Sequence, residues 1–427
     1  MGKTKNRWLI ALSAVAIHLS IGSVYAYSVY QKPLSTQYGW NTTDVSLAFT
    51  IAIFMLGMSA AFLGRFVEKY GPRKAAFVAA AFFSIGTLGA GVAITLESYP
   101  LFLLFYGVIG GIGLGVGYIS PVSTLVKWFP DRRGLATGIA VMGFGAGASV
   151  TGPIAGRLIE VTSIPNTFYI LGVMYLLLMS LGASYLKRPQ EGWMPPGMKE
   201  TVTSGRVKVK TDLAQMTASE AIKTPRFWLL WTMMFINISA GIMILSVASP
   251  MAQEITGMSV MAAATMVGLI GLFNGAGRIG WAAFSDYIGR QNIYLLFFAI
   301  QVVAFFLLPY TSNDVFFSIL AFIIVSCYGG GFSCLPAFIG DIFGTKQLGA
   351  IHGYLLTSWS MAGIAGPMIV STVYDATKSY TTTFYIFDLL LVIAFFAAIG
   401  LHRNLNKLQK ELNGRPYDGA HTEAKCS

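Results

Sequence analysis

Charge is scarce in this chain. Of its 427 residues only 11% are Asp, Glu, Lys or Arg, where a soluble protein carries about 25%. So few charges cannot cover a water-facing surface, which excludes a soluble enzyme and a disordered chain. Cysteine is scarcer still. Cys327, Cys334 and Cys426 show no metal-ligand spacing, and the first two sit in apolar sequence. They read as packing residues, and neither a disulfide scaffold nor a metal site is expected. Also missing are a His-Glu-x-x-His pair, a nucleophile with a plausible base, and a P-loop. Their absence argues against an intramembrane enzyme and an ATP-driven pump. No cofactor is implied. The first apolar segment, Trp8 to Tyr30, is too long for a signal core and lacks a small-residue cleavage site, so no cleavable leader is expected.

What the chain has in abundance is apolar sequence: 55% hydrophobic residues, with 47 glycines spread along the length. Crossing a bilayer takes about 20 apolar residues as a helix. Twelve such segments stand at 8–30, 45–63, 75–95, 101–126, 135–158, 167–186, 227–248, 260–284, 293–310, 315–340, 348–373 and 382–401. They are numbered here as spans one to twelve. An even count puts both termini on one side. The net charge of +11, which would suggest nucleic acid in a soluble protein, then follows from topology. With the N-terminus inside, 25 of the 29 basic residues fall on inward segments and three (Lys32, Arg157, Lys378) on outward ones. That split fixes the orientation. No nucleic-acid partner is expected, only the lipid bilayer.

The polar stretch 187–226 divides the chain into a half of six spans (1–186) and a second half (227–402), followed by a tail (403–427). Within the connector, Thr217-Ala-Ser-Glu220 has the spacing of a capping box opening a short helix; an ordinary connector is the alternative. The halves echo each other. Glu68-Lys-Tyr-Gly71 after span two matches Asp286-Tyr-Ile-Gly289 after span eight, and Gly152-Pro153 matches Gly366-Pro367. The glycine-proline pairs are expected bend sites. Six-plus-six organisation with a long central loop is the layout of transporters whose site lies between two halves.

Arg278, inside span eight, is the first candidate for chemistry. A guanidinium keeps its charge, and placing one mid-membrane costs at least about 2.5 kcal/mol, so it needs an anion or water. Asn274 lies one turn away on the same face. The competing view is an arginine that snorkels inward. His18, mid-span one, shares a face with Gly22 and Tyr25 and is a candidate proton carrier; the alternative is a histidine bonded to a neighbouring carbonyl. Asp388 in span twelve is a second, weaker proton candidate. The series Gly110, Gly111, Gly113, Gly115 and Gly117 reads as helix packing, since no strand precedes it as a nucleotide loop requires. Tyr118 follows it, and Tyr328 and Phe332 lie four apart in span ten.

The loop Gly64…Glu68-Lys69-Tyr-Gly71-Pro-Arg73-Lys74 resembles the loop 2–3 signature of the major facilitator superfamily, with Glu68 and Lys69 replacing Asp and Arg. Lys127-Trp-Phe-Pro-Asp-Arg-Arg-Gly-Leu-Ala-Thr-Gly138, Thr224-Pro-Arg-Phe-Trp228 and Asp341-Ile-Phe-Gly344 resemble the bacterial branch holding oxalate:formate antiporters and monocarboxylate transporters. The resemblance covers nearly the whole chain. It implies an all-α membrane protein of twelve transmembrane helices, monomeric, in the bacterial cytoplasmic membrane with both termini cytoplasmic. It implies an arginine in span eight that binds a carboxylate. It further implies a pocket lined by Tyr25, Tyr118, Tyr328 and Phe332, and inner ion pairs among Glu68, Arg73, Asp131, Arg132, Arg133, Asp286 and Arg290, with Asp341 nearby. Two departures stand out. Trp359 occupies the place of the oxalate family's second cation, and Asn274 that of an acid in animal proton-linked carriers. The function expected is proton-coupled transport of a small monocarboxylate such as lactate, pyruvate or formate by alternating access. The alternatives are an oxalate/formate exchanger and a membrane sensor that binds without transport.

Overall fold

The computed structural model describes residues 5–190, 193–195, 198 and 212–413, without the side chains at 42, 43, 260, 264, 412 and 413. Lys3, Lys199, Arg206, Lys208, Lys210, Arg415, Lys425 and Cys426 lie outside the described residues.

In lipid every backbone amide and carbonyl must find its partner within the segment, so apolar runs of this length become helices. Among the described residues, eleven helices are long and apolar enough to cross a membrane: Arg7–Ala26, Asp44–Tyr70, Pro72–Thr95, Tyr99–Trp128, Arg133–Val161, Ile164–Tyr185, Pro225–Thr256, Met261–Ile288, Arg290–Tyr310, Asp314–Phe343 and Thr381–Glu411. Span eleven, Leu348–Thr377, has the length. Its apolar character is diluted because His352, Ser358, Trp359 and Ser360 are buried inside the bundle rather than turned to lipid. The result is an all-α bundle of twelve spans. Large apolar side chains ring its outside: Phe62 is 76% exposed and Leu181 69%. A belt of that kind is intolerable in water and expected against acyl chains.

Tight turns join the spans at one end, here the basic end. Gly71 and Gly289 adopt φ of +85° and +90°, a region open essentially to glycine, and each ends one helix while starting the next. The sequence echo is thus a repeated turn. The first span differs from expectation: its α-helix stops at Ile21, a tight 3-10 turn covers Gly22–Ala26, and a separate helix follows over Ser28–Tyr38. Gly22 abuts the Phe144 backbone of span five there. The last span runs to Asn413 instead of ending near 401. Leu401 and Leu405 stay buried one turn apart, so the helix continues beyond the apolar run as an amphipathic one.

The expected bends at Gly152-Pro153 and Gly366-Pro367 do not break their helices. The marked kink is in span seven at Val247 (φ −132°, ψ 15°). Pro250, just beyond, cannot donate to the Ser246 carbonyl and its ring crowds it. The two halves meet along two seams, span two against span eleven and span five against span eight. Between spans six and seven, Thr217 and Glu220 form a reciprocal capping box on the short helix Ala218–Ala221.

Candidate functional site

Between the halves lies a cavity of about 420 Å³ that closes toward the basic end. Apolar side chains, among them Phe49, Ile53, Leu245 and Val267, form much of its wall, and no Asp, Glu, Lys or Arg lines it among the described residues. Tyr25, Asn274, Tyr328 and Trp359 reach its surface. Arg278, Tyr118 and Phe332 are fully buried in the layer beneath. The seven residues singled out in the sequence for cargo binding thus gather at one place but at two depths.

Arg278 is held from both halves. Its Nε donates to the Asn274 Oδ1 one turn away at 3.2 Å, and its Nη1 donates to the Val141 carbonyl of span five at 3.0 Å. Its Nη2 has no hydrogen-bond partner among the described residues. The snorkelling alternative fails on this geometry, because the side chain is 0% exposed and turned into the bundle. Gly145 lines the cavity directly above: a Cβ there would sit 3.1 Å from the Arg278 Nε, so its absence brings the cavity to the guanidinium. The Tyr25 hydroxyl stands beside both Arg278 and the Tyr328 hydroxyl. Phe332 offers its ring face to the guanidinium at 5.7 Å, a cation–π contact.

Around this cation the rings form a continuous stack. Trp359 packs on Phe332 at 4.5 Å and on Tyr118 at 5.5 Å, and Tyr118 stacks on His18 at 5.0 Å. Phe144 touches His18, Tyr25, Tyr118 and Trp359. Sequence reasoning missed Phe144. Its only signal was a lone aromatic between Gly143 and Gly145. His352 was also missed, although an ionisable residue in a membrane helix is itself a signal. It lies fully buried beneath the stack, its ring 5.8 Å from that of Tyr118. His18 has the carbonyl bond, its Nε2–H donating to the Tyr118 carbonyl at 3.0 Å, and its Nδ1 has no partner among the described residues. Asp388 is far from the stack in packing terms, since span twelve packs mainly on spans seven and nine.

The basic end is closed by charge. Asp286, ending span eight, accepts from the Gly134 and Leu135 amides at 3.0 Å each, capping the start of span five in the other half. Glu68, ending span two, accepts from the Gly349 amide at 2.8 Å, at the start of span eleven. Each half therefore places a carboxylate on a helix N-terminus of the other, where the exposed amides and the helix dipole favour an anion. Arg290 pairs with Asp286 and with Asp341 (3.1 Å). Arg133 pairs with Asp341 (3.1 Å) and with Asp212 of the connector (2.6 Å). Three gate expectations need correction. Arg73 is exposed and makes no ion pair among the described residues, because Glu68 turns instead to Gly349, Lys127 and Arg188. Asp131 pairs with Arg7 inside its own half. Arg132 precedes the helix without an ion pair among the described residues, and Arg133, the first helical residue, makes the crossing.

Two six-span halves around a central cavity, sealed by charge at one end, define a membrane carrier. The residues 11–367 and 281–418 match the Major Facilitator Superfamily, and the chain belongs to it. It is therefore a multi-pass membrane transporter. It is 28% identical over 401 residues to the oxalate:formate antiporter of Oxalobacter formigenes, covering 93% of this chain and 92% of that one. Its identity to monocarboxylate transporter 1 of Mus musculus is 24% over 456 residues, covering 98% and 90%. Among solved structures, FucP in the outward conformation shares the fold with a TM-score of 0.68 at 15% identity, covering 92% of this chain and 98% of that chain.

Proposed function

We propose that the protein carries small monocarboxylates, such as lactate, pyruvate or formate, together with a proton, across the bacterial cytoplasmic membrane by alternating access. In this reading the basic end faces the cytoplasm, both termini and the connector lie inside, and the structure is outward-facing. The observation that carries it is Arg278: a buried cation under the cavity floor whose Nη2 lacks a partner. An unmet charged donor in a desolvated site calls for an anionic acceptor. One cation balances one carboxylate. Trp359 adds ring surface and an unpartnered Nε1–H but no charge, and a dianion would leave one charge without a counterpart.

A second reading, exchange of oxalate and formate, draws support from the likeness to the oxalate:formate antiporter. Counterflow in proteoliposomes separates the two. Unlabelled oxalate is expected to fail against labelled lactate at equal concentration; equal competition would favour the exchanger. The same assay separates a carrier from a sensor, because a sensor gives no uptake at all. Arg278→Lys keeps the charge and loses the planar fork that grips a carboxylate with two parallel bonds. It is expected to insert normally and to lower uptake by about tenfold or more. Wild-type uptake at matched expression would remove Arg278 from the site.

A further inference from the structure

His352 is unlike the other buried polar groups of the bundle. It is 0% exposed, and neither ring nitrogen has a hydrogen-bond partner among the described residues. A neutral imidazole always carries one N–H and one bare nitrogen, and leaving both unmet in a dry interior costs free energy that apolar residues of similar size would avoid. A structural role does not explain such a group. A visiting proton does.

Its position fits that visitor. His352 lies seven residues before Trp359 on span eleven, about 10 Å nearer the basic end. Trp359 is at the cavity surface, and Tyr118 packs between the two rings, 5.5 Å from one and 5.8 Å from the other. On the other side, three residues away, the Gly349 amide is tied to Glu68 at the closed gate. His352 is thus screened from the cavity by the ring stack and from the basic end by the gate, on a seam between the halves. The groups turned toward it are Tyr118 from span four and His18 from span one. Arg278 of span eight faces His18 behind them, and Glu68 of span two lies beyond Gly349. Spans seven, ten and twelve bring no charged group against it among the described residues. The Nε2–H of His18 donates to a carbonyl while its Nδ1 has no partner among the described residues, so of the two buried histidines His352 is the one with neither nitrogen engaged.

We infer that His352 is the group that takes up the co-transported proton. The inference rests on the carboxylate reading for the cargo. The proton comes from water at the cavity mouth. The unpartnered Tyr118 hydroxyl passes it on by accepting one proton and releasing its own to the free ring nitrogen of His352, giving an imidazolium. When the seam opens toward the basic end, that proton leaves to water there and the neutral imidazole is restored. The carboxylate and the proton cross together and no net charge moves.

The test reconstitutes wild type, His352→Gln and His352→Asn in proteoliposomes with the membrane potential clamped. Two quantities are read for labelled lactate: counterflow at equal pH, and accumulation under an imposed pH gradient. Wild type is expected to accumulate lactate by up to about tenfold per pH unit. The variants should keep counterflow within about twofold and lose that accumulation. Variants that still accumulate lactate as wild type does overturn the proposal. So do variants that remain folded but lose both activities, because His352 would then belong to binding rather than coupling. A second arm does not depend on the cargo: the four histidines are labelled with carbon-13, and the His352 signal, assigned by its loss in His352→Gln, is followed with pH in detergent. Titration supports the proposal, and a signal that stays fixed while the protein remains folded overturns it. Lactate counterflow absent from wild type, with His352 titrating, would instead reject the cargo assignment and leave the proton site standing.

Discussion

The two ends of the cavity are built on opposite principles. Toward the basic end the halves are held by carboxylates on helix starts and by two arginines shared among three acids. Toward the other end the walls are mostly apolar and no charged side chain reaches the surface. Apolar walls part readily to admit water and a small solute. A charged seal is different, because each bond to a charged group contributes about 1.5–3 kcal/mol and hydration replaces it when the seal opens. The closed end thus stores discrete, reversible bonds, and the two-way symmetry of Glu68 and Asp286 means both seams must let go together.

The hardest blow to that contrast is Asp286→Ala, which removes the acceptor of two amides and of Arg290 at once. Loss of about 3 kcal/mol shifts a two-state equilibrium roughly hundredfold, so the basic end should stand open in most molecules. Spin labels on cysteines introduced at the exposed Lys74 and Asn292 would report it as a longer distance than in the parent. An unchanged distribution would show that other contacts hold the seal. A milder change sharpens the upper side of the boundary. Tyr118→Phe deletes one unpartnered hydroxyl and keeps the ring stack; the apparent constant for lactate should rise by about two- to tenfold, measured as the concentration dependence of counterflow.

The smallest effect concerns the connector. Glu220 accepts from the Thr217 amide at 2.7 Å and the Thr217 hydroxyl at 2.8 Å, which holds its carboxyl below the usual range. A carboxyl lowered in this way contributes stability above its unfolded pKa and loses it as pH falls through the folded value. At neutral pH, Glu220→Gln should therefore raise hydrogen exchange in residues 217–222 modestly while transport is unchanged. In the parent, acidification below the ordinary carboxylate range should release the same short helix.

Spans, halves and the repeated inner turn were legible in the sequence because lipid allows the backbone few alternatives and glycine few substitutes at positive φ. Arg278 stood out because one charge in an apolar run must either meet an anion or water or snorkel out, and the structure buries it. What escaped was whatever depends on which neighbour a side chain finds. Glu68 and Arg73 share a loop but face different ways, and of the expected cluster Asp131, Arg132 and Arg133 only Arg133 makes the crossing, a choice set by a single residue of helix phase. Phe144 earns its central place only because spans one, four and eleven converge on it. The interruption in span seven at Val247 was not foreseen, because a proline breaks a helix only where neighbours fail to support it.

A guanidinium tied to the opposite half is also a brake on idle cycling. Arg278 belongs to span eight, yet one of its acceptors, the Val141 carbonyl, belongs to span five. Parting those spans with the cavity empty would strip a buried cation of an acceptor and offer nothing in return. On the carboxylate reading proposed above, cargo seated on the Nη2 would replace the lost acceptor before it is given up. In the proposed carrier, cargo would act as the substitute ligand that releases the catch, and the empty molecule would return once water takes that role.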